Sequence, residues 1–450
     1  MRHMKNKEEL EFDREQKELD RRKKKPKRYK QNPVDRNIAF NENELGKYSP
    51  SEPVSKEVRS QSIKKIITAA AICLLCAFLV FMYANKDSFS FEAVSNWFNY
   101  ELLGKNNGAG FPVKINGNTV NPENIDIIDG KYLAYVSDSN SVALKQNGSV
   151  LYDRRLTYSN PVARTNGTYN LIYSLDGKKY QVSTVGEVKI DSQTDDDIFY
   201  GAINKNGVFG LITKTDGYLS RLIIYDNKGK EIYSYYFSQY YAYCLDIRDD
   251  GKQALVGAVS SKNGKVLSAV YLIDFSSKEP QALTTFDNST IYGVKYLSSG
   301  VAAVICDDSL AIYNARQNTI VKNSYNGRVL ADCCINKQTG CVALALSRSG
   351  DGRMCDIDYY NSTGEKEASI ETGLEIKSID LYKNKIAVLS DGMVYEFDKL
   401  GQQLYCADAG GDSKAIKLID DRNLYVIGIS EARKLDLANP SEQSDLDAEH

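Results

Sequence analysis

The two histidines of this 450-residue chain, His3 and His450, stand at its ends. Chemistry anywhere between them must use carboxylates, tyrosines, lysines or cysteines, because imidazole is the most frequent general base and metal ligand. A Ser-His-Asp or Cys-His site is thereby excluded within one chain, as is a histidine-ligated metal. The strongest remaining candidates are the acidic run DDD, Asp195 to Asp197, and the pair Tyr240 and Tyr241. Carboxylates beside aromatic rings suit the binding of a sugar or a peptide. A carboxylate pair could also cleave a glycoside, given a separation of about 5–9.5 Å. The plainer alternative is that the acids solvate a loop and the tyrosines pack.

Cysteine offers less. Cys73 and Cys76 have CxxC spacing but stand inside an apolar run, where a thiolate has no water. The remaining seven, Cys244, Cys306, Cys333, Cys334, Cys341, Cys355 and Cys406, are odd in number and mostly sit in strand patterns. In CCINKQTGC, a four-residue loop from Asn336 to Thr339 would set Cys334 opposite Cys341 on a hairpin, a candidate disulfide. Paired CxxC spacings for zinc are missing outside the apolar run, and neither a Walker loop nor an EF-hand is present. The expectation is no catalytic residue, no metal and no cofactor.

The elements that must position these residues come in two parts. Residues 1–65 carry 19 Lys+Arg against 12 Asp+Glu, leaving 38 against 47 for the rest. The parts meet at IITAAAICLLCAFLVFMY, Ile66 to Tyr83, which has no charge, Pro or Gly. At about 1.5 Å per residue it reaches roughly 27 Å, enough with its flanks to cross a bilayer core. Residues 63–84 are therefore expected to form a transmembrane helix. Arg21, Arg22, Lys23, Lys24 and Lys25 lie upstream and Lys64 and Lys65 abut the span, so the positive-inside rule places the N-terminus in the cytoplasm. The polar tail 1–62 is expected to be disordered. Its basic block suits anionic lipid or topology better than nucleic acid, and its charged upstream stretch could meet a cytoplasmic partner. Residues 85–110 read as an amphipathic juxtamembrane helix and hinge, and 439–450 as a disordered acidic tail.

Residues 111–438 repeat one unit: a turn pair, then an apolar strand rich in small residues. The turns end at Gly130, Gly167, Gly207, Gly251, Gly300, Gly340, Asn384 and Arg422, and the strands after them include YLAYV, YNLIY, CVALAL and LYVIGI. The spacing averages about 42 residues, one four-stranded propeller blade per repeat. The fold class is therefore all-β, an eight-bladed β-propeller with seven blades as the alternative. The last unit supplies only three strands and FPVKI, Phe111 to Ile115, precedes the first, so pairing the surplus with the deficit would close the ring. The abundant tyrosines are expected to pack between blades while keeping their hydroxyls wet.

RYKQNP at the end of the basic block, the single span, NWF (Asn96 to Phe98), GFPV (Gly110 to Val113) and the tyrosine-rich repeats resemble an uncharacterised family of single-pass envelope proteins. Its members come from Gram-positive, Clostridia-type bacteria, and it is known only as a domain of unknown function. The resemblance implies a bacterial surface protein with a propeller-like outer domain and transfers no catalytic residue. The leading expectation is a non-catalytic binding or scaffold module, anchored in the plasma membrane, for an envelope protein or cell-wall glycan. A carboxylate-dependent glycan enzyme and a transmembrane sensor are the alternatives.

Overall fold

The computed structural model describes residues 110–437, apart from positions 337 and 351. The tail 1–62, Lys64, Lys65, the span 63–84 with Cys73 and Cys76, residues 85–109 and the tail 439–450 lie outside the described residues. Among the described residues there are 31 β-strands, numbered β1 to β31 along the chain, and no helix.

The turns dictate this. The residues that introduce the recurrent strand include Asp129, Gly130, Gly167, Gly207, Gly251, Gly340 and Lys383, all with positive φ, the conformation that reverses a chain into a hairpin. The strands after them are β3 (Tyr132–Ser137), β7 (Tyr169–Ser174), β10 (Phe209–Thr213), β14 (Gln253–Lys262), β18 (Val301–Cys306), β22 (Cys341–Ser347), β26 (Lys385–Ser390) and β30 (Asn423–Ile427). Each is the second strand of an antiparallel unit. The first strands are β2 (Val120–Ile128), β6 (Pro161–Asn166), β9 (Val188–Ile203), β13 (Tyr241–Ile247), β17 (Ile291–Ser298), β21 (Val329–Asn336), β25 (Ser378–Tyr382) and β29 (Ala415–Leu418).

Six sheets have four strands and one has seven. The larger sheet fuses two units through β9. Ile198 in the middle of β9 pairs with Gly177 of the unit before and with Thr213 of the unit after. Most first strands contact the first strand of the next unit, and β29 of the last sheet reaches β2 of the first. The sheets are therefore arranged radially with their first strands innermost, a β-propeller. Closure uses β1 (Val113–Lys114), which pairs with β31 (Glu431–Asp436) through Val113–Ala432 and Lys114–Glu431. The sequence's strand surplus and deficit thus meet in one sheet.

The core lies between sheets. Leu297, Ile305 and Ile312 pack on Val342 and Leu344 of the next sheet and on Tyr325 in the connection before it, and Ile357 and Ile370 on Ile379, Ile386 and Val388. The last sheet meets the first through Tyr425, Ile427, Leu133 and Tyr135. Tyrosines supply many of the largest fully buried side chains, among them Tyr173, Tyr325, Tyr359 and Tyr425. Their hydroxyls are not all wet, contrary to expectation: those of Tyr325 and Tyr425 are buried without a hydrogen-bond partner among the described residues. The area of these rings outweighs a penalty of about 1–3 kcal/mol for the stranded hydroxyl.

The inner edges need a separate solution, because a first strand other than β9 has a hydrogen-bonded neighbour on one side only. A side chain from one inner strand accepts the N–H of the next. Asn124 Oδ1 accepts from Ala163 N at 2.9 Å, Asp246 Oδ2 from Tyr296 N at 2.8 Å, Asp332 Oδ2 from Ile379 N at 2.9 Å and Asp380 Oδ2 from Leu418 N at 2.7 Å. Lys295 and Lys417 lie 3.0 and 3.8 Å from Asp246 and Asp380. Burial pushes the Asp332 and Asp380 carboxyls up. The Asp380 charge in turn holds the Lys417 ammonium well above its ordinary value.

Asp380→Leu strips Leu418 N–H and Lys417 of their acceptor and should cost about 3–5 kcal/mol, whereas Asp380→Asn keeps an oxygen in place and should cost clearly less. Chemical denaturation of the two variants checks this; an Asp380→Leu protein as stable as wild type would show that the bridge is dispensable. A second expectation concerns pH. Asp358, with a fully buried side chain, meets Arg328, Ser369 and Lys366. Burial acts to raise its carboxyl, but these partners outweigh it and hold it below the ordinary range. A carboxyl lowered on folding contributes its stability in full above the unfolded value, and loses it as pH falls through the folded one. The Tm gap between wild type and Asp358→Asn should therefore be widest near neutrality and close on acidification below about pH 4. A gap that stayed constant on acidification would count against a charged Asp358.

Candidate functional site

The chain passes from the outer strand of one unit to the inner strand of the next on one face of the ring. That connection face also carries the turn between second and third strands. The other turns of each unit occupy the opposite, turn face. Both described chain ends lie on the turn face. Gly110 abuts the turn Lys145–Ser149, and its carbonyl would meet a Cβ on Gly148 at 2.6 Å, so only glycine fits there. At the other end Leu437 N donates to Arg422 O.

On the connection face, where β9 crosses between units, a groove of about 470 Å³ opens. Asp196, Asp197 and Phe199 of β9 form one wall, and Lys214, Thr215, Asp216 and Leu219, from the turn between β10 and β11 (Ser220–Tyr225), form another. Lys178 of β8 (Gly177–Thr184) and Tyr241 at the start of β13 complete it. Lys214 Nζ lies 3.2 Å from Asp197 and 3.7 Å from Asp176, and 5.4 Å from the centroid of the Phe199 ring. Its hydrogen bond to Asp197 raises the ammonium above its usual value. Phe199 and Tyr241 pack at 5.2 Å with planes 53° apart. Burial, assisted by Asp176, pushes the Tyr241 phenol up to about 12. A ledge beside the groove carries Tyr218 and Tyr236, 50% and 41% exposed, with ring centroids 5.0 Å apart. Arg221 lies 5.2 Å from the Tyr236 centroid.

The groove brings together three of the five residues singled out in the sequence: Asp196, Asp197 and Tyr241. Asp195 lies next to it and contributes its carbonyl, which accepts from Lys178 Nζ. Tyr240 turns away and packs on Tyr271 at 5.8 Å. The acidic run is not a loop, as expected, but the middle of the continuous strand β9. Sequence reasoning missed Lys178, Lys214, Phe199 and Leu219. The turn signals Asp176-Gly177 and Asp216-Gly217, which carry the neighbouring lysines to the same face, were the available clue.

The residues from Lys114 through Leu437, almost the whole described ring, match the model of a family of unknown function, DUF5711. The chain belongs to that family. No curated protein matches this DUF5711 chain. Among solved structures it is similar to BamB from Moraxella catarrhalis, at 13% identity and a TM-score of 0.48, over 72% of this chain and 97% of that one. It is also similar to Hsv2 from Kluyveromyces lactis, at 12% identity and a TM-score of 0.42, over 59% of this chain and 89% of that one. The propeller assignment stands on the strand pairings rather than on likenesses this distant.

The cysteines of the DUF5711 ring need one correction. The hairpin register sets Asn336, not Cys334, opposite Cys341, while Cys334 faces Ala343. The Asn336 side chain accepts from Gln338 N at 2.9 Å and Thr339 N at 3.2 Å, so the turn closes one residue later than the cysteine spacing implies and the partner of Cys341 moves from Cys334 to Asn336. Both sulfurs are free, and burial raises the Cys334 thiol. Peptide mapping after alkylation under non-reducing conditions should accordingly find Cys334 and Cys341 unlinked; a 334–341 cross-link would refute this register.

Proposed function

We propose that this DUF5711 chain is a non-catalytic binding or scaffold module with an eight-bladed ring, the fused sheet counting as two blades. In this reading residues 63–84 anchor it in the plasma membrane, the basic tail stays in the cytoplasm, and the ring works outside. The partner, an envelope protein or cell-wall glycan, docks at the groove on the connection face. The observation that carries the reading is the placement of that groove opposite the chain ends. The chain that leads from the proposed anchor enters the ring at Gly110, on the face away from the groove. Composition points the same way, since the concavity combines aromatic rings with a few convergent polar groups, as binding clefts do. Glycan cleavage has weaker support, because Asp197 is held by Lys214 and the chain's own cations already cover the rings on which a sugar would stack.

A photo-crosslinking amino acid at Leu219, in the groove, can be compared in cells with one at Leu400, which is 80% exposed on the turn face. The expected result is a discrete adduct from position 219, absent from position 400 and lost when Tyr241→Arg fills the groove. Equal labelling at both positions, or no adduct from either, would remove the groove from consideration as the docking site.

A further inference from the structure

We propose that the groove recognises a basic peptide segment, an arginine or lysine flanked by an apolar residue, in preference to a carbohydrate. This names the partner's chemistry and rests on the binding role given to the groove above. The charge balance is the first ground. Asp176 and Asp197 share Lys214, and Lys178 is bonded to a backbone carbonyl. The carboxylates of Asp196 and Asp216, which line the groove, have no ion pair among the described residues. With Asp196, Asp197 and Asp216 against Lys178 and Lys214, the lining keeps a net negative charge, and two of its carboxylates have no ion pair among the described residues, which favours a cation over an anionic ligand.

The state of the rings argues against sugar. A pyranose stacks its C–H face flat on an open aromatic face. Phe199 is flanked by the Lys214 ammonium and by Tyr241 tilted against it. Tyr236 is flanked by the Arg221 guanidinium and by Tyr218, tilted 44°. Both rings already carry a cation of the chain itself, so neither offers the open face a pyranose needs, and the preference for a cation rests on Asp196 and Asp216.

Size and the apolar ledge specify the rest. A volume near 470 Å³ is that of a small-ligand cleft and holds a few side chains, not a folded domain. Leu219, at 44% exposure, and Tyr218 adjoin Asp216, so an apolar side chain next to the basic one has a surface to cover. The free energy comes from that burial, while the carboxylates supply orientation and on-rate.

The test uses full-length protein in detergent micelles and three probes: a fluorescein-labelled peptide of alternating arginine and leucine, the same peptide with glutamate replacing arginine, and chitotetraose. Fluorescence anisotropy should show saturable binding of the arginine peptide only. Its affinity should fall by about tenfold or more between about 50 and 500 mM salt. It should fall by about tenfold in Asp196→Asn with Asp216→Asn, and also in Leu219→Ser, with Tm unchanged. Arginine-peptide binding that ignores these substitutions overturns the proposal. Calorimetric binding of chitotetraose that Tyr241→Ala abolishes also overturns it, while leaving the groove a binding site. If no probe responds to any groove variant, the docking role of the groove falls as well.

Discussion

Each sheet of the ring turns one strand edge toward the centre, and the backbone donors on that edge have no neighbouring strand to pair with. Buried donors without acceptors are among the most expensive defects a fold can carry. Four of the inner strands answer with an Asn or Asp that reaches the next inner strand: Asn124, Asp246, Asp332 and Asp380. The carboxylates then need compensation of their own, which Lys295 and Lys417 provide. These bridges tie sheets together at the axis, where apolar packing between the sheet faces cannot reach. Packing and closure both presuppose them, since a splayed centre would neither bring Tyr425 against Leu133 nor align β1 with β31.

This constraint separates two populations of charge. Asp246, Asp358, Asp380 and Glu396 sit within strands and are matched by Lys295, Arg328, Lys417 and Lys385. They belong to the architecture. Asp196 and Asp216 bridge no strands and hold no cation among the described residues, so the ring does not need them for its own assembly. Surface carboxylates unclaimed by structure, beside partly exposed aromatic residues, are what recognition can use.

Much of the fold was legible because hairpin chemistry is local. An Asp-Gly or Asn-Gly pair followed by small apolar residues gives a turn and a strand from a handful of neighbouring side chains, and each of the eight recurrent strands formed where its turn placed it. Three features depended on more distant partners. The acidic run resembled a loop, yet Ile198 has strand partners on both sides, Gly177 and Thr213, which lie in different units. The Cys334 register was offset because Asn336 captured two backbone donors, a choice invisible in the spacing of thiols. The charges at the inner edges, such as Asp246 in YAYCLDI and Lys295 in IYGVKYL, stood in apolar strands as unexplained exceptions, and only the neighbouring sheet explains them. The groove was half visible for the same reason: β9 and Tyr241 carried a sequence signal, whereas Lys178 and Lys214 come from hairpins whose shared face is a property of the ring.

The continuity of β9 has a mechanical side. Elsewhere in the ring, neighbouring sheets are separate plates joined by a connecting segment, by packing and by the inner-edge bridges. Between Val188 and Ile203 the two plates share one beam. The acidic residues of the groove sit at its midspan, so a force applied there divides between two sheets instead of bending one. A partner docking as proposed would thus bear on backbone shared by two sheets rather than on the edge of one.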